Sequence, residues 1–225
     1  MTMILVDKVS KSYGSNKVLS NVTFAVEGGE FVSITGPSGA GKSTLIHAMI
    51  GAETIDEGSI SIDQFVVNQL KGRQIQDYRR KIGIVFQDYK LLPKKTVYEN
   101  VSFALEVAGY PKSFIGKRTM DVLRLTGLEQ HRNNFPDELS GGEQQRTAIA
   151  RALVHAPELL IADEPSGNLD PENTQALAKL LQKINTHGTT VILATHNKEL
   201  VNSVKKRVIT LDKGKLTSDK KNSQY

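Results

Sequence analysis

Short apolar runs alternate with amphipathic stretches along most of this chain. "EFVSITG" (Glu30–Gly36), "ELLIADEP" and "TTVILATH" are continuously apolar, the pattern of strands covered on both faces. "SISID" and "KIGIVFQ" are further strand candidates, the second ending at Gln87. "MILVDKVSKSYG" and "KVLSNVTFAVEGGE" read as two short strands around a Gly-Ser-Asn turn, and "RVITLDKGKL" as a closing hairpin around Asp212-Lys213-Gly214. Helical patterns fall between them. "KSTLIHAMIG" is closed by Gly51. Leu177, Leu180, Leu181 and Ile184 form a core face behind Asp170 as N-cap and Pro171 at the first helical position, and Gly188 ends that helix. Strands alternating with helices predict an α/β fold with a mainly parallel sheet, preceded by an antiparallel N-terminal part.

From Thr96 the pattern turns helical. "TVYE" is a capping box, followed by a stripe of Val101, Ala104, Leu105 and Ala108 before Gly109. A second helix is expected from Pro111 to about Gly127. "LSGGEQQR", Leu139 to Arg146, is another helix start: Ser140 precedes Glu143 by three positions, and two glycines leave the tip almost bare. The expected organisation is one domain over residues 1–225. Its core would comprise 1–87 and 158–216, with a helical subdomain inserted at 88–157 and a basic polar tail at 217–225.

Composition narrows the chemistry. There is no cysteine, which excludes disulfides, thiolate metal sites and cysteine nucleophiles. No apolar run approaches the ~18 residues of a membrane span, and the N-terminus lacks the pattern of a secretory signal. The net charge of +5 resides in Lys205–Tyr225, which holds seven basic residues against two acidic ones. A basic nucleic-acid-binding face is therefore not expected.

"GPSGAGKS" at 36–43 matches the phosphate-binding loop pattern and lies between a predicted strand and helix, as that motif requires. Gly36, Pro37, Ser38, Gly39, Ala40, Gly41, Lys42, Ser43 and Thr44 are the candidate phosphate-binding residues. Lys42 would meet the β- and γ-phosphates, and the Ser43 hydroxyl would bind Mg²⁺. Asp163 and Glu164 end the apolar strand "LLIA", where one carboxylate can support Mg²⁺ and its neighbour can polarise a water. Gln87 could ligate Mg²⁺ and sense the γ-phosphate, although alone it reads better as a polar strand end. His196 alone reads as a structural or solvated histidine, and Tyr13 as an exposed tyrosine able to stack on a base.

In order along the chain, Tyr13, "GPSGAGKST", Gln87, "LSGGEQQR", "LLIADE", "SGNLD" and His196 resemble the ATP-binding subunits of ABC transporters over nearly the whole chain. The resemblance implies ATP hydrolysis with ATP and Mg²⁺. Tyr13 would stack on adenine, Ser43, Gln87 and Asp163 would hold Mg²⁺, Glu164 would polarise water, and His196 would contact the γ-phosphate. Leu139, Ser140, Gly141, Gly142, Glu143 and Gln144 would reach the γ-phosphate bound by a second copy of the chain. The loop of Ser166, Gly167, Asn168, Leu169 and Asp170 would also act across that pair; Ser166 stands where close relatives often have threonine. No N-K-x-D motif of a GTPase is present. The P-loop and "LSGGEQQR" are only about 95 residues apart, too close for the long coiled coil of DNA-repair types. Translation-factor types carry two cassettes, and this chain has one.

"FQDYKLLPKKTVYENVSFALEVAG" resembles the cell-division group of the family, whose members pair with an FtsX-type membrane protein. That implies a place on the cytoplasmic face of the bacterial plasma membrane and control of peptidoglycan hydrolases. The membrane partner is expected on the region from Gln87 to Val101. "FPDELSGGEQQRTAIARALVHAPELLIADEPSGNLDPE" fits lipoprotein-release and macrolide-export ATPases as well.

Overall fold

The computed structural model describes residues 1–167 and 169–221. Two long strands open it, β1 (Thr2–Tyr13) and β2 (Asn16–Glu27). They were expected to be short, but register shifts let each run on for 12 residues. With β4 (Glu57–Ile62) and β5 (Phe65–Val66) they make an antiparallel sheet in the order β2-β1-β4-β5.

The second sheet has six strands: β3 (Phe31–Thr35), β6 (Ile82–Val85), β7 (Leu159–Asp163), β8 (Thr190–Ala194), β9 (Arg207–Asp212) and β10 (Lys215–Lys220). Their order is β10-β9-β3-β8-β7-β6, parallel except for the edge strand β10. Because side chains alternate along a strand, each apolar run serves two cores. Leu160 and Ala162 pack with the helices α3 (Val97–Val107), α4 (Lys112–Thr126), α5 (Gly141–Leu153), α6 (Pro171–Thr186) and α7 (Lys198–Val204). Leu159 and Ile161 pack on the other face with α1 (Lys42–Met49) and the antiparallel sheet.

Helices α3 to α5 lie between β6 and β7, so the inserted helical part is present. Two helices escape the sequence pattern. In α2 (Arg73–Lys81) only Tyr78 is buried, and α7 is seven residues long, so neither shows a full apolar stripe. The strand β10 continues to Lys220, past the end expected for the hairpin and into the segment read as a tail. Strand β6 stops at Val85, which puts Gln87 on the following loop rather than on the strand.

Candidate functional site

The loop of residues 36–41 joins β3 to α1. Helix α1 opens at Lys42 with Gly41 as a cap that lacks a side-chain acceptor, so its first N–H groups are free to meet an anion. Gly36 has φ 149°, and a Cβ there would stand 3.2 Å from the Leu211 carbonyl carbon and closer still to its oxygen. Only glycine lets the loop pass β9 so closely. The buried Lys42 ammonium donates to the carbonyls of Gly36 (2.9 Å) and Pro37 (3.2 Å) and lies 3.4 Å from Glu164 Oε1.

Three parallel strand ends converge on this loop. At the end of β7, Asp163 accepts a hydrogen bond from Ser43 Oγ at 3.2 Å. Burial pushes the Asp163 carboxyl above the usual aspartate range, against the opposing pull of the Ser43 hydroxyl, His47 and Lys42. Glu164 adopts φ 46°, a left-handed conformation that costs a residue with a Cβ ~1–3 kcal/mol. Its own N–H donates to the Ala194 carbonyl (2.8 Å) at the end of β8. Glu164 Oε2 accepts from Thr195 Oγ1 (3.1 Å) and the His196 N–H (3.3 Å), while Oε1 lies 2.9 Å from His196 Nδ1. A carboxylate only accepts, so Nδ1 carries the proton and Nε2 of the exposed ring is left outward. Lys42, Ser43, Asp163, Glu164 and His196 therefore form one cluster. Thr195, which no pattern in the sequence singled out, belongs to it.

Tyr13 stands at the end of β1, half exposed, with the Lys11 ammonium 5.1 Å from its ring centre and its hydroxyl donating to Glu53 (2.8 Å). The Glu53 bond raises the phenol above its ordinary range, while Thr44 of the P-loop and Lys11 pull it down. Gln87 is exposed, and among the described residues no hydrogen bond joins it to Ser43 or Asp163; a Cβ on Gly167 would be 3.4 Å from its Nε2. A cavity of about 480 Å³, lined by Phe65, Tyr78, Arg80, Tyr110, His155 and Pro157 among others, contains none of the motif residues.

Ser140 caps α5 in the expected box: Glu143 N–H donates to Ser140 Oγ at 3.4 Å, and the Ser140 N–H and hydroxyl donate to Glu143 Oε2 at 2.8 and 2.7 Å. The Ser140 bonds, with weaker help from His131 and Arg146, hold the Glu143 carboxyl below its usual range. Gln144 donates to the Pro136 (2.9 Å) and Leu139 (3.2 Å) carbonyls, fixing the turn before the tip. Leu139 is buried, whereas Ser140 and Gly141 are exposed and Gly142 is buried. Among the described residues, no hydrogen bond or ion pair joins Leu139–Gln144 to Gly36–Thr44. Of the candidate loop 166–170, Ser166 is buried, Gly167 N–H donates to Glu164 O (3.2 Å), Leu169 N–H donates to Ser166 O (3.1 Å) and Asp170 caps α6. Asn168 lies outside the described residues.

The expected partner region, Gln87 to Val101, needs a correction. Val97, Asn100 and Val101 are fully buried and cannot form a surface. They pack the helical core and hold the segment from inside.

Residues 19–167 match the family model described as ABC transporter. The chain belongs to the ABC transporter ATP-binding family, and it is an ATPase. It is 49% identical to the cell division ATP-binding protein FtsE of Streptococcus pneumoniae over 97% of this chain and 95% of that one. It is also 49% identical to that of Bacillus subtilis over 99% and 98%. The methionine import protein MetN of Clostridium acetobutylicum is 41% identical over 98% of this chain, but only 70% of its own length is covered. A dimeric ATP-binding cassette, MJ0796, solved in a post-hydrolysis state with ADP and Pi, is 36% identical with TM-score 0.88, over 99% of this chain and all (100%) of that one. CbiO1 of Clostridium perfringens, part of a transporter complex, is 31% identical with TM-score 0.91, over 98% and 89%.

Proposed function

We propose that this ATPase works as an FtsE–FtsX-type subunit. In this reading, two copies close on ATP and pass the motion to a membrane protein that controls peptidoglycan hydrolases from the cytoplasmic face of the bacterial plasma membrane. What carries the reading is the 49% identity to proteins named FtsE, against 41% to the MetN protein. Among the described residues, no helix is long and apolar enough to cross a membrane.

The residue roles proposed here are supported by the cluster around the P-loop. The P-loop amides and Lys42 take the phosphates, and Lys42 exchanges its loop carbonyls for phosphate oxygens. Ser43 and Asp163 are paired hard-oxygen groups that would hold magnesium, with Gln87 as a further ligand. Magnesium held there neutralises charge on the phosphate oxygens. Glu164 takes a proton from water, while Thr195 and His196 fix its carboxylate. His196 Nε2 faces the γ-phosphate side, and Tyr13 stacks on adenine. Ser140 and Gly141, exposed at a helix N-terminus, meet the ATP of the second copy, flanked by the 166–170 loop.

The test is co-purification of the tagged chain with a detergent-solubilised FtsX-type protein, with a lipoprotein-release or macrolide-export permease in parallel. Capture of the FtsX-type protein alone is expected. Capture of one of the exporters instead would reassign the complex.

A further inference from the structure

The bare tip of α5 has two glycines, and they face different things. Gly141 is exposed, whereas Gly142 is buried against the first turn of α6. A Cβ on Gly142 would stand 2.8 Å from Asn173 Cγ and closer still to Oδ1. Asn173 cannot swing aside freely. Its backbone N–H donates to Asp170 Oδ1 and its side-chain amide to Asp170 Oδ2, both at 2.7 Å. The missing side chain at Gly142 thus makes room for the chain's own asparagine.

We infer that Asn173 is a positioning residue: pinned by Asp170, it seats in the notch left by Gly142 and locks the tip of α5 to Asp170, so that one chain presents the tip and Asp170 to its second copy as a single rigid unit. The inference rests on the ATP-driven pairing proposed above. Asp170 caps α6 and clamps Asn173 with the same carboxylate, so Asp170 cannot shift without moving the amide that abuts Gly142. Ser166 follows Glu164 with one proline between them, and Gly167 N–H bonds to the Glu164 carbonyl. The position of a chain's own Glu164 and that of the tip it offers to its partner are therefore mechanically linked.

The experiment is sedimentation of Glu164→Gln protein with Mg-ATP, carrying Gly142→Ala, Asn173→Ala or both, with single-chain affinity for a fluorescent ATP analogue measured alongside. Alanine favours helix over glycine, so propensity alone would make Gly142→Ala benign. The clash should instead weaken pairing by roughly tenfold or more, with nucleotide affinity unchanged. Asn173→Ala alone should weaken pairing by about threefold. The double variant should recover most of what Gly142→Ala loses, because the obstacle is gone. A double variant as poor as Gly142→Ala would show that the phosphate of the second copy demands this glycine, and would overturn the inference. Normal pairing by Gly142→Ala would do the same. Should Gly142→Ala fail to fold, Asn173→Ala decides by itself: unchanged pairing sinks the inference, and weakened pairing at unchanged nucleotide affinity supports it. Ser140→Arg in the same assay separates the two layers. If that variant pairs like its parent, the pairing model itself fails; if it does not pair and Gly142→Ala does, only the role of Asn173 fails.

Discussion

At the level of single residues, Glu164 is the most constrained group in the cluster. It holds a left-handed backbone and faces Lys42, Thr195 and His196 at once. Replacing it with glutamine keeps the size and some of the hydrogen bonds but removes the proton acceptor. Glu164→Gln should bind ATP normally and turn it over about 10²–10⁴-fold more slowly, measured by steady-state phosphate release. Lys42→Ala should behave differently, losing affinity in equilibrium titration with a fluorescent nucleotide. Normal turnover by Glu164→Gln would remove it from the base role. Most of this cluster was legible in the sequence because a phosphate loop and a strand-end carboxylate pair have fixed spacing. Thr195 and Asn173 were not: each is a common polar residue whose partner lies far along the chain or across a helix packing. Gln87 was legible as a candidate, but its place on the loop after β6 rather than on the strand follows a loop path that no local pattern encodes.

At the level of elements, the caps hold charge in place. Thr96 and Glu99 exchange bonds at the start of α3, with Glu99 N–H donating to Thr96 Oγ1 at 3.2 Å and Thr96 N–H to Glu99 Oε2 at 2.8 Å. Thr96→Ala should lower unfolding stability by ~0.5–2 kcal/mol in urea titration. Backbone N–H bonds hold the Glu99 and Asp170 carboxyls below their usual range, from Thr96 and Asn173 respectively. A carboxyl depressed in the folded state stabilises the fold above its unfolded pKa, about 4, and that contribution is lost as pH falls through the folded value. The melting temperature should therefore drop from pH 5 to about pH 3, and a Glu99→Gln, Asp170→Asn double variant should drop less over that interval. An equal drop would mean that other carboxyls govern acid unfolding. These caps were readable because Thr-x-x-Glu at 96–99 and Asp-Pro at 170–171 are local patterns. Helices α2 and α7 were missed because one is nearly all polar and the other too short for a period to show.

For the whole molecule, the parallel core was legible from apolar runs that serve two faces, whereas the surface proposed for a membrane partner was not, because which residues of 87–101 stay outside depends on how they pack on α3 and α5. The segment after Gln87 is pinned to the helices from both sides. Arg151 of α5 donates to the Tyr89 (2.7 Å) and Lys90 (2.6 Å) carbonyls, and buried Asn100 of α3 bonds the Leu92, Lys95 and Thr96 carbonyls at 2.9–3.1 Å. Any rotation of α3 and α5 must carry this segment with it. Its outward residues are Leu92 and Lys95, half-buried, and Pro93 and Lys94, exposed. They offer a small apolar step edged by cations, a shape suited to a short amphipathic helix of the membrane partner. Leu92→Asp, and separately Lys94→Glu with Lys95→Glu, should abolish capture of solubilised FtsX-type protein while ATP affinity of the isolated chain stays normal. Asn100→Ala should weaken capture too, although it is buried, because it frees the segment from α3; its folding must be checked by melting. If the surface variants capture the partner as the parent does, contact lies elsewhere. The exposed Phe103, Val107, Tyr110 and Phe114 would then be the next residues to change. If only Asn100→Ala retains full capture, the segment is a contact site but its rigid attachment to α3 is not what transmits the motion.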